Sequence, residues 1–165
     1  MDGTALAELV RSLSLTVHVL TAYPVAGTPP DVELLPQIAL NEIVCTRFCN
    51  AQGAYLPGQK VLLADHLDLV GNVRHRAVLL HELVHEAQER AGAFAELPAC
   101  QRYHRREAQA YAVEHAYLRR FGLSGATLAG PQRWLGAPCK EDQGVTPARA
   151  LPIMAPGQHT QQPVD

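Results

Sequence analysis

The sequence predicts a small α+β domain in which two long helices pack against a short twisted sheet. Three patterns lead to this prediction: apolar residues at helical spacing after Asn72, a second helical stretch after Pro98, and a turn signal at Pro57-Gly58. The chain has 165 residues, enough for one hydrophobic core and too few for two ordinary domains. We therefore expect a single domain over residues 1–129, followed by a Pro-rich irregular tail over residues 130–165.

The N-terminal part is predicted to alternate between helix and extended structure. Residues 4–14 carry apolar side chains at helical spacing, and residues 14–20 then alternate in the manner of a short strand. Pro and Gly are frequent over residues 23–30, which indicates a loop. Helical spacing returns over residues 32–49 and predicts a second helix with Pro36 near its start.

A β-hairpin is predicted over residues 53–64. Short apolar runs lie on both sides of Pro57-Gly58, as expected when two strands are joined by a tight turn. The predicted sheet contains the strand at residues 60–64 and the strand around Val17. It is expected to pack against the helix that follows.

Two long helices are predicted in the second half of the chain. Asn72 suits the N-cap of the first helix, and Gly92 provides its C-terminal stop. The second helix covers about residues 101–121, is rich in Ala and other good helix formers, and is closed by Gly122.

Composition and charge exclude several classes of partner. Apolar residues make up 47% of the chain, as in folded globular proteins. Lys and Arg number 14 and Asp and Glu 16, so the net charge of -2 provides no field that would attract nucleic acid. Apolar runs are only a few residues long, so no membrane-spanning segment is predicted, and neither is an intact signal peptide.

The four cysteines are Cys45, Cys49, Cys100 and Cys139, a number compatible with two disulfides or with four reduced thiols. Cys45 and Cys49 lie one turn apart on the predicted helix, where their Cβ atoms point along the same side and are poorly oriented for a disulfide. We therefore expect a longer-range pairing of Cys100 with one of the others. A thiolate zinc site is disfavoured because no CxxC pair is present. Disulfides would favour a secreted or periplasmic location, and reduced thiols a cytoplasmic one.

The motif with the clearest chemistry is His81-Glu82-Leu83-Val84-His85, an HExxH sequence. On a helix its two imidazoles lie one turn apart and can face a single metal ion. Glu82 lies about 100° from His81 around the helix, where it is better placed to hold a metal-bound water than to bind the ion. Zinc acidifies such a water, and a carboxylate can then move its proton to a leaving group.

The same motif can arise by chance on a solvated helix. Here an apolar run over residues 77–80 leads into the motif, and Leu83-Val84 lies inside it, so the helix is predicted to be buried on most sides. Two imidazoles and a carboxylate without partners would be costly in that environment. Metal binding is therefore favoured over the chance alternative.

A third metal ligand is expected from the helix after Pro98. Glu107 lies 22 residues beyond His85, and small Ala residues at 108 and 110 would let the two helices approach closely. Glu114 is the next candidate. The remaining candidates are Glu96, His104 and His115.

The HELVH motif, followed by a helix that opens with REAQAY, resembles the gluzincin branch of the zincin metallopeptidases. This resemblance covers residues 55–121 and implies a minimal zincin-like fold, with zinc bound by the two motif histidines and by Glu107. It also implies that the strand at residues 60–64 lies at a sheet edge and pairs with extended peptide substrate. The chain departs from the family pattern of a Glu followed four residues later by Asp, because Tyr111 stands there.

The resemblance further implies a hydroxyl or imidazole that stabilises the oxyanion, for which Tyr103, Tyr111 and His104 are the candidates. The sequence therefore predicts a zinc metallopeptidase, a protease of peptide or protein substrates, with Glu82 as general base. Gln88, two turns after His81, can reach the surroundings of the metal. The alternatives are a catalytically silent zinc- or peptide-binding module and a toxin- or immunity-type interaction protein that uses its Pro-rich tail.

Overall fold

A computed structural model describes residues 2–45, 49–58 and 60–124 of the chain. Within these ranges it contains four helices and a mixed sheet of three strands, which confirms the predicted α+β class. The domain boundary at residue 129 stays a prediction, because residues 125–165 lie outside the described ranges. No helix in the described part of the chain combines the length and apolar composition needed to cross a bilayer.

Helix α1, Gly3–Thr21, is longer than predicted. Its buried residues are Val10, Leu13 and Val17, which recur at helical spacing on one face. The prediction of a strand around Val17 is therefore wrong, because the alternation over residues 14–20 continues the helical pattern that begins earlier. Burial of a continuous apolar face outweighs the strand preference of the β-branched residues there.

Strand β1, Asp31–Leu35, and helix α2, Gln37–Val44, occupy the stretch that was predicted as one helix. Pro36 separates them for a physical reason. Its ring disfavours helical backbone at the preceding residue, so Leu35 is extended and the helix begins only after the proline. The helix ends at Val44 and not at residue 49, because Cys45 is already extended.

The early end of α2 also corrects the disulfide prediction. Cys45 and Cys49 are bonded to each other, with their Cα atoms 6.0 Å apart, which is within the ordinary disulfide range. The expectation that this local pair would not form assumed a continuous helix. Cys100 is disulfide-bonded as well, so its predicted pairing with either of these two is wrong, and Cys139 lies outside the described residues.

The sheet has the strand order β1-β3-β2. Strands β2, Gly53–Leu56, and β3, Lys60–Ala64, form the predicted antiparallel hairpin. Strand β1 lies parallel to β3 on its other side, with Val32 opposite Val61. Strand β3 is therefore central, and the prediction that residues 60–64 form the sheet edge is wrong. The edges of the described sheet are β1 and β2.

Helices α3, Val73–Arg90, and α4, Ala99–Arg120, agree closely with prediction. The Asn72 side chain caps α3 by accepting the backbone N–H of Arg74 at 2.9 Å. Helix α3 packs against α1, the sheet and α4, which is why it is buried over most of its circumference. Its HExxH motif therefore lies in the interior, beside α4.

Candidate metal centre

Three side chains from two helices meet at one point between α3 and α4. His81 and His85 come from successive turns of α3, and Glu107 comes from the third turn of α4. One ligand atom from each of the three lies within 4.8 Å of the others, and all three residues are buried. This group could hold a metal ion.

The distances within the group suit a small cation. Nε2 of His85 is 3.1 Å from Glu107 Oε1, and Nε2 of His81 is 3.6 Å from Glu107 Oε2. Ligand atoms about 2.0–2.2 Å from a tetrahedral metal are about 3.4 Å apart, a spacing that lies between these two distances. The atoms of this group therefore lie near the positions that a common cation requires.

The two imidazoles are held from their outer sides. Nδ1 of His81 lies 3.3 Å from Oε2 of Glu114, and Nδ1 of His85 lies 3.0 Å from Oε1 of Gln88. Both Nε2 atoms, by contrast, are buried at ion-pair distance from Glu107, and neither they nor Oε1 of Glu107 take part in a hydrogen bond of full geometry. Buried polar atoms without partners are costly, so a cation at their meeting point would offset that cost.

Glu82 lies next to this group and is also buried without a partner. Its side chain has no exposed surface, and neither carboxylate oxygen has a hydrogen-bond partner. Burial raises the pKa of Glu82 to about 8. The charge of His81 lowers this pKa only partly, as does the backbone N–H of Tyr55, which faces the carboxylate without full hydrogen-bond geometry. A nearby cation would favour the charged form.

The charges of the group depend on one another. Burial lowers the pKa of His81, but the carboxylates of Glu107 and Glu114 outweigh burial and raise that pKa to about 10. Burial likewise raises the pKa of Glu107, but His85 and His81 overcome this effect and hold it below its usual range. Without a cation, positive charge at this point is therefore carried by a proton on imidazole.

Tyr111 and Tyr103 lie on the same helix as Glu107. The ring of Tyr111 packs edge-on against His81, with centroids 4.5 Å apart. Burial and the charge of Glu107 raise the pKa of Tyr103 to about 12, and the same two causes raise that of Tyr111. Both hydroxyls therefore keep their protons at neutral pH and are able to donate hydrogen bonds.

The structure separates the other candidates from the metal group. Among the described residues the group does not include Glu96, His104 or His115, nor any cysteine. Glu114 contacts the outer nitrogen of His81 and so differs in position from Glu107. Sequence reasoning missed this contact, although the spacing of seven residues from Glu107 already places Glu114 two turns along the same face.

Strand β2 passes unusually close to α3 beside Glu82. A Cβ atom at Gly53 would lie 2.9 Å from Cδ2 of Leu63, 3.1 Å from Cγ1 of Val78 and 3.2 Å from Cγ of Glu82. These neighbours are buried, so they have little freedom to move away. Glycine is therefore required at this position by close approach.

We expect Gly53→Ala to destabilise the protein by about 1–3 kcal/mol, because the added methyl group overpacks this contact. Gly27→Ala is a matched control, since a Cβ at Gly27 would meet nothing within 4 Å. Denaturant unfolding of both variants measures the difference. If Gly53→Ala were as stable as Gly27→Ala, the close approach of β2 to α3 would be wrong.

Comparison of the chain with protein-family models, with curated proteins and with solved structures finds no match. The candidate site therefore rests on its own geometry: two buried imidazoles and a carboxylate that converge, with a second buried acid, Glu82, beside them.

Proposed function

We propose that the protein is a zinc-dependent metallohydrolase that cleaves peptide bonds. The observation that carries this proposal is the convergence of the buried Nε2 atoms of His81 and His85 on Glu107 without full hydrogen-bond geometry, while both Nδ1 atoms have separate partners. An arrangement of this kind presents lone pairs to a cation and fixes their direction.

The donor set favours zinc among the common cations. Two imidazoles and one carboxylate are a ligand set typical of catalytic zinc, whereas calcium and magnesium prefer ligands that are all oxygen. Three protein ligands leave a fourth position for water or substrate. When bound, zinc would supply a Lewis acid that acidifies water and polarises a carbonyl group.

Glu82 is the residue that would move the proton. Glu82 lies on α3, close to the charges of His81 and Glu107, and neither of its carboxylate oxygens makes a hydrogen bond of full geometry. It can accept a proton from the attacking water and then donate that proton to the amine that leaves. A residue that served only to stabilise the fold would not be left buried and unpaired at this point.

The two tyrosines are candidates for stabilising the oxyanion that forms on the attacked carbonyl. Tyr111 contacts His81 directly, and its raised pKa keeps the hydroxyl proton available. Tyr103 is near enough to Glu107 for that charge to raise its pKa. We assign Tyr111 as the first choice, because only its ring is in contact with a metal ligand.

The edge of β2, which lies beside Glu82, is where we propose that an extended peptide substrate pairs. The N–H of Ala64 donates to the carbonyl of Gln52 at 2.9 Å, and hydrogen-bonded pairs alternate along an antiparallel ladder. The backbone polar groups of Gly53 and Tyr55 therefore point away from β3. Both residues adjoin Glu82 and both are buried, so an extended peptide would pair with β2 beside the general base only after this edge is uncovered.

A catalytically silent zinc module is the alternative that the burial of the site favours. His81, His85 and Glu82 are almost fully buried, as is common for zinc that serves only to stabilise a fold. The unpartnered carboxylate of Glu82 argues against it, because a purely structural site gains nothing from that acid. The interaction function of the tail concerns residues outside the described ranges.

The deciding experiment is peptide hydrolysis with controlled metal content. We expect the zinc-loaded protein to cleave members of a quenched fluorescent peptide library, to lose this activity after chelation, and to regain it when zinc is added. Metal analysis of each sample gives the zinc content. Stoichiometric zinc without hydrolysis of any library member would favour the silent module, and absence of zinc binding would reject both functions.

A further inference from the structure

A chain of side-chain hydrogen bonds connects the loop after α1 with His85. The hydroxyl of Tyr23 donates to Oε1 of Gln109 at 2.7 Å, and Nε2 of Gln88 donates to the same oxygen at 2.9 Å. Oε1 of Gln88 then lies 3.0 Å from Nδ1 of His85. These hydrogen bonds thus join the loop after α1 to α4 and α3 through three uncharged side chains.

The direction of this chain is fixed by a backbone carbonyl. Nε2 of Gln88 is 2.9 Å from the carbonyl oxygen of Arg106, which can only accept a hydrogen bond. The amide nitrogen of Gln88 must therefore face Arg106, and its oxygen must face His85. With both N–H groups of Gln88 directed to Arg106 and Gln109, no donor remains for His85.

The consequence concerns the proton on His85. Because Oε1 of Gln88 can only accept, Nδ1 of His85 must carry a hydrogen and donate it. In the neutral imidazole the lone pair then lies on Nε2, the atom that faces Glu107. The hydrogen bond to Gln88 thus selects the tautomer in which Nε2 of His85 can bind a cation between His81, His85 and Glu107.

The two histidines are held by partners of different charge. Glu114 faces His81 with a carboxylate, whereas Gln88, fully buried, faces His85 with a neutral amide. Glu82, Glu107 and Glu114 already place three carboxylates at the site, and a fourth would add buried negative charge. A neutral acceptor fixes His85 without that cost.

We propose that Gln88, held by Gln109 and Tyr23, is a positioning residue that fixes His85 in its metal-binding tautomer and thereby sets the affinity of the site for zinc. This inference rests on the proposed zinc site. It adds a residue that touches neither metal nor substrate and acts through His85 alone.

The test is the zinc dissociation constant of the purified full chain, measured by competition with a chromophoric chelator. Gln88→Met keeps the length of the side chain and removes both hydrogen-bonding functions, so zinc should bind about 10–100-fold more weakly. Gln101→Met, the same change at an exposed position of α4, is the matched control and should bind zinc like the wild type. Wild-type affinity in Gln88→Met would overturn the proposal.

A pair of variants at Gln109 tests the direction of the chain and does not depend on whether Gln88→Met folds. In this series of hydrogen bonds Gln109 is only an acceptor, and it accepts both bonds through Oε1. Gln109→Glu keeps that acceptor and should bind zinc more tightly than Gln109→Met, which removes it. Equal weakening in both variants would overturn the assigned direction.

A spectroscopic measurement separates positioning from a general effect on folding. In the zinc-loaded wild type, NMR of 15N-labelled protein should show a slowly exchanging proton on Nδ1 of His85, and Gln88→Met should lose its protection. A protected proton in Gln88→Met would contradict the proposal. If the wild type itself bound no zinc, the proposed function would fail, which is a result distinct from unequal affinities among variants.

Discussion

Replacing Glu82 by Gln should lower the turnover number for peptide hydrolysis by about 10²–10⁴-fold, while zinc content and fold are retained. The amide has nearly the same shape as the carboxylate but cannot accept the proton of the attacking water. No side chain depends on Glu82 for a hydrogen bond, because both of its oxygens are without partners. The loss should therefore appear in turnover and not in stability.

The matched control for this prediction is Glu86→Gln. Glu86 lies one turn further along α3 and pairs with Arg90 at 2.7 Å, away from the metal group. Its variant should keep turnover close to that of the wild type. Steady-state kinetics and zinc analysis of the two variants are compared side by side. Wild-type turnover in Glu82→Gln would remove Glu82 from the role of general base.

The second half of the fold could be predicted because its signals are local. Asn72 caps α3 and Gly92 follows its end with a positive φ, so both boundaries are specified within a few residues of sequence. Pro57-Gly58 specifies the hairpin in the same way, since Gly58 has a positive φ that the turn requires. Each of these elements agrees with the prediction.

The first half was mispredicted because its structure depends on distant partners. Strand β1 is short, and it is extended because it pairs with β3, about 29 residues further along the chain. Nothing within residues 31–35 announces that pairing. The parallel addition of β1 also moves β3 from the edge to the centre, so the sheet edge next to Glu82 is formed by β2.

The metal group was more predictable than its surroundings. The spacing of His81 and His85 on one helix fixes their geometry, and Glu107 then needs only the second helix to lie alongside. The partners of the two Nδ1 atoms depend on how α4 is rotated against α3, a property of packing that no local pattern encodes. Glu114 was accordingly considered as a ligand, whereas the structure places it against the outer nitrogen of His81.

This difference between Glu107 and Glu114 leads to the second large effect. Loss of a residue that hydrogen-bonds a metal ligand weakens metal binding about 10–100-fold. Glu107→Ala removes a ligand itself, so it should weaken zinc binding by more than this and abolish hydrolysis. Two imidazoles alone would then hold the ion. Glu114→Ala should keep zinc bound, with a loss of affinity inside that range, because it removes only the acceptor of His81 Nδ1.

The geometry excludes an exchange of these two roles without movement of α4. Glu107 faces the Nε2 atoms of both histidines, whereas Glu114 faces Nδ1 of His81, on the other side of that ring. The two carboxylates are two helical turns apart, about 10 Å along the axis.

Glu96→Ala, at an exposed position before α4, is the control that should leave zinc affinity unchanged. Zinc titrations of all three variants decide the assignment: stronger loss in Glu114→Ala than in Glu107→Ala would make Glu114 the third ligand.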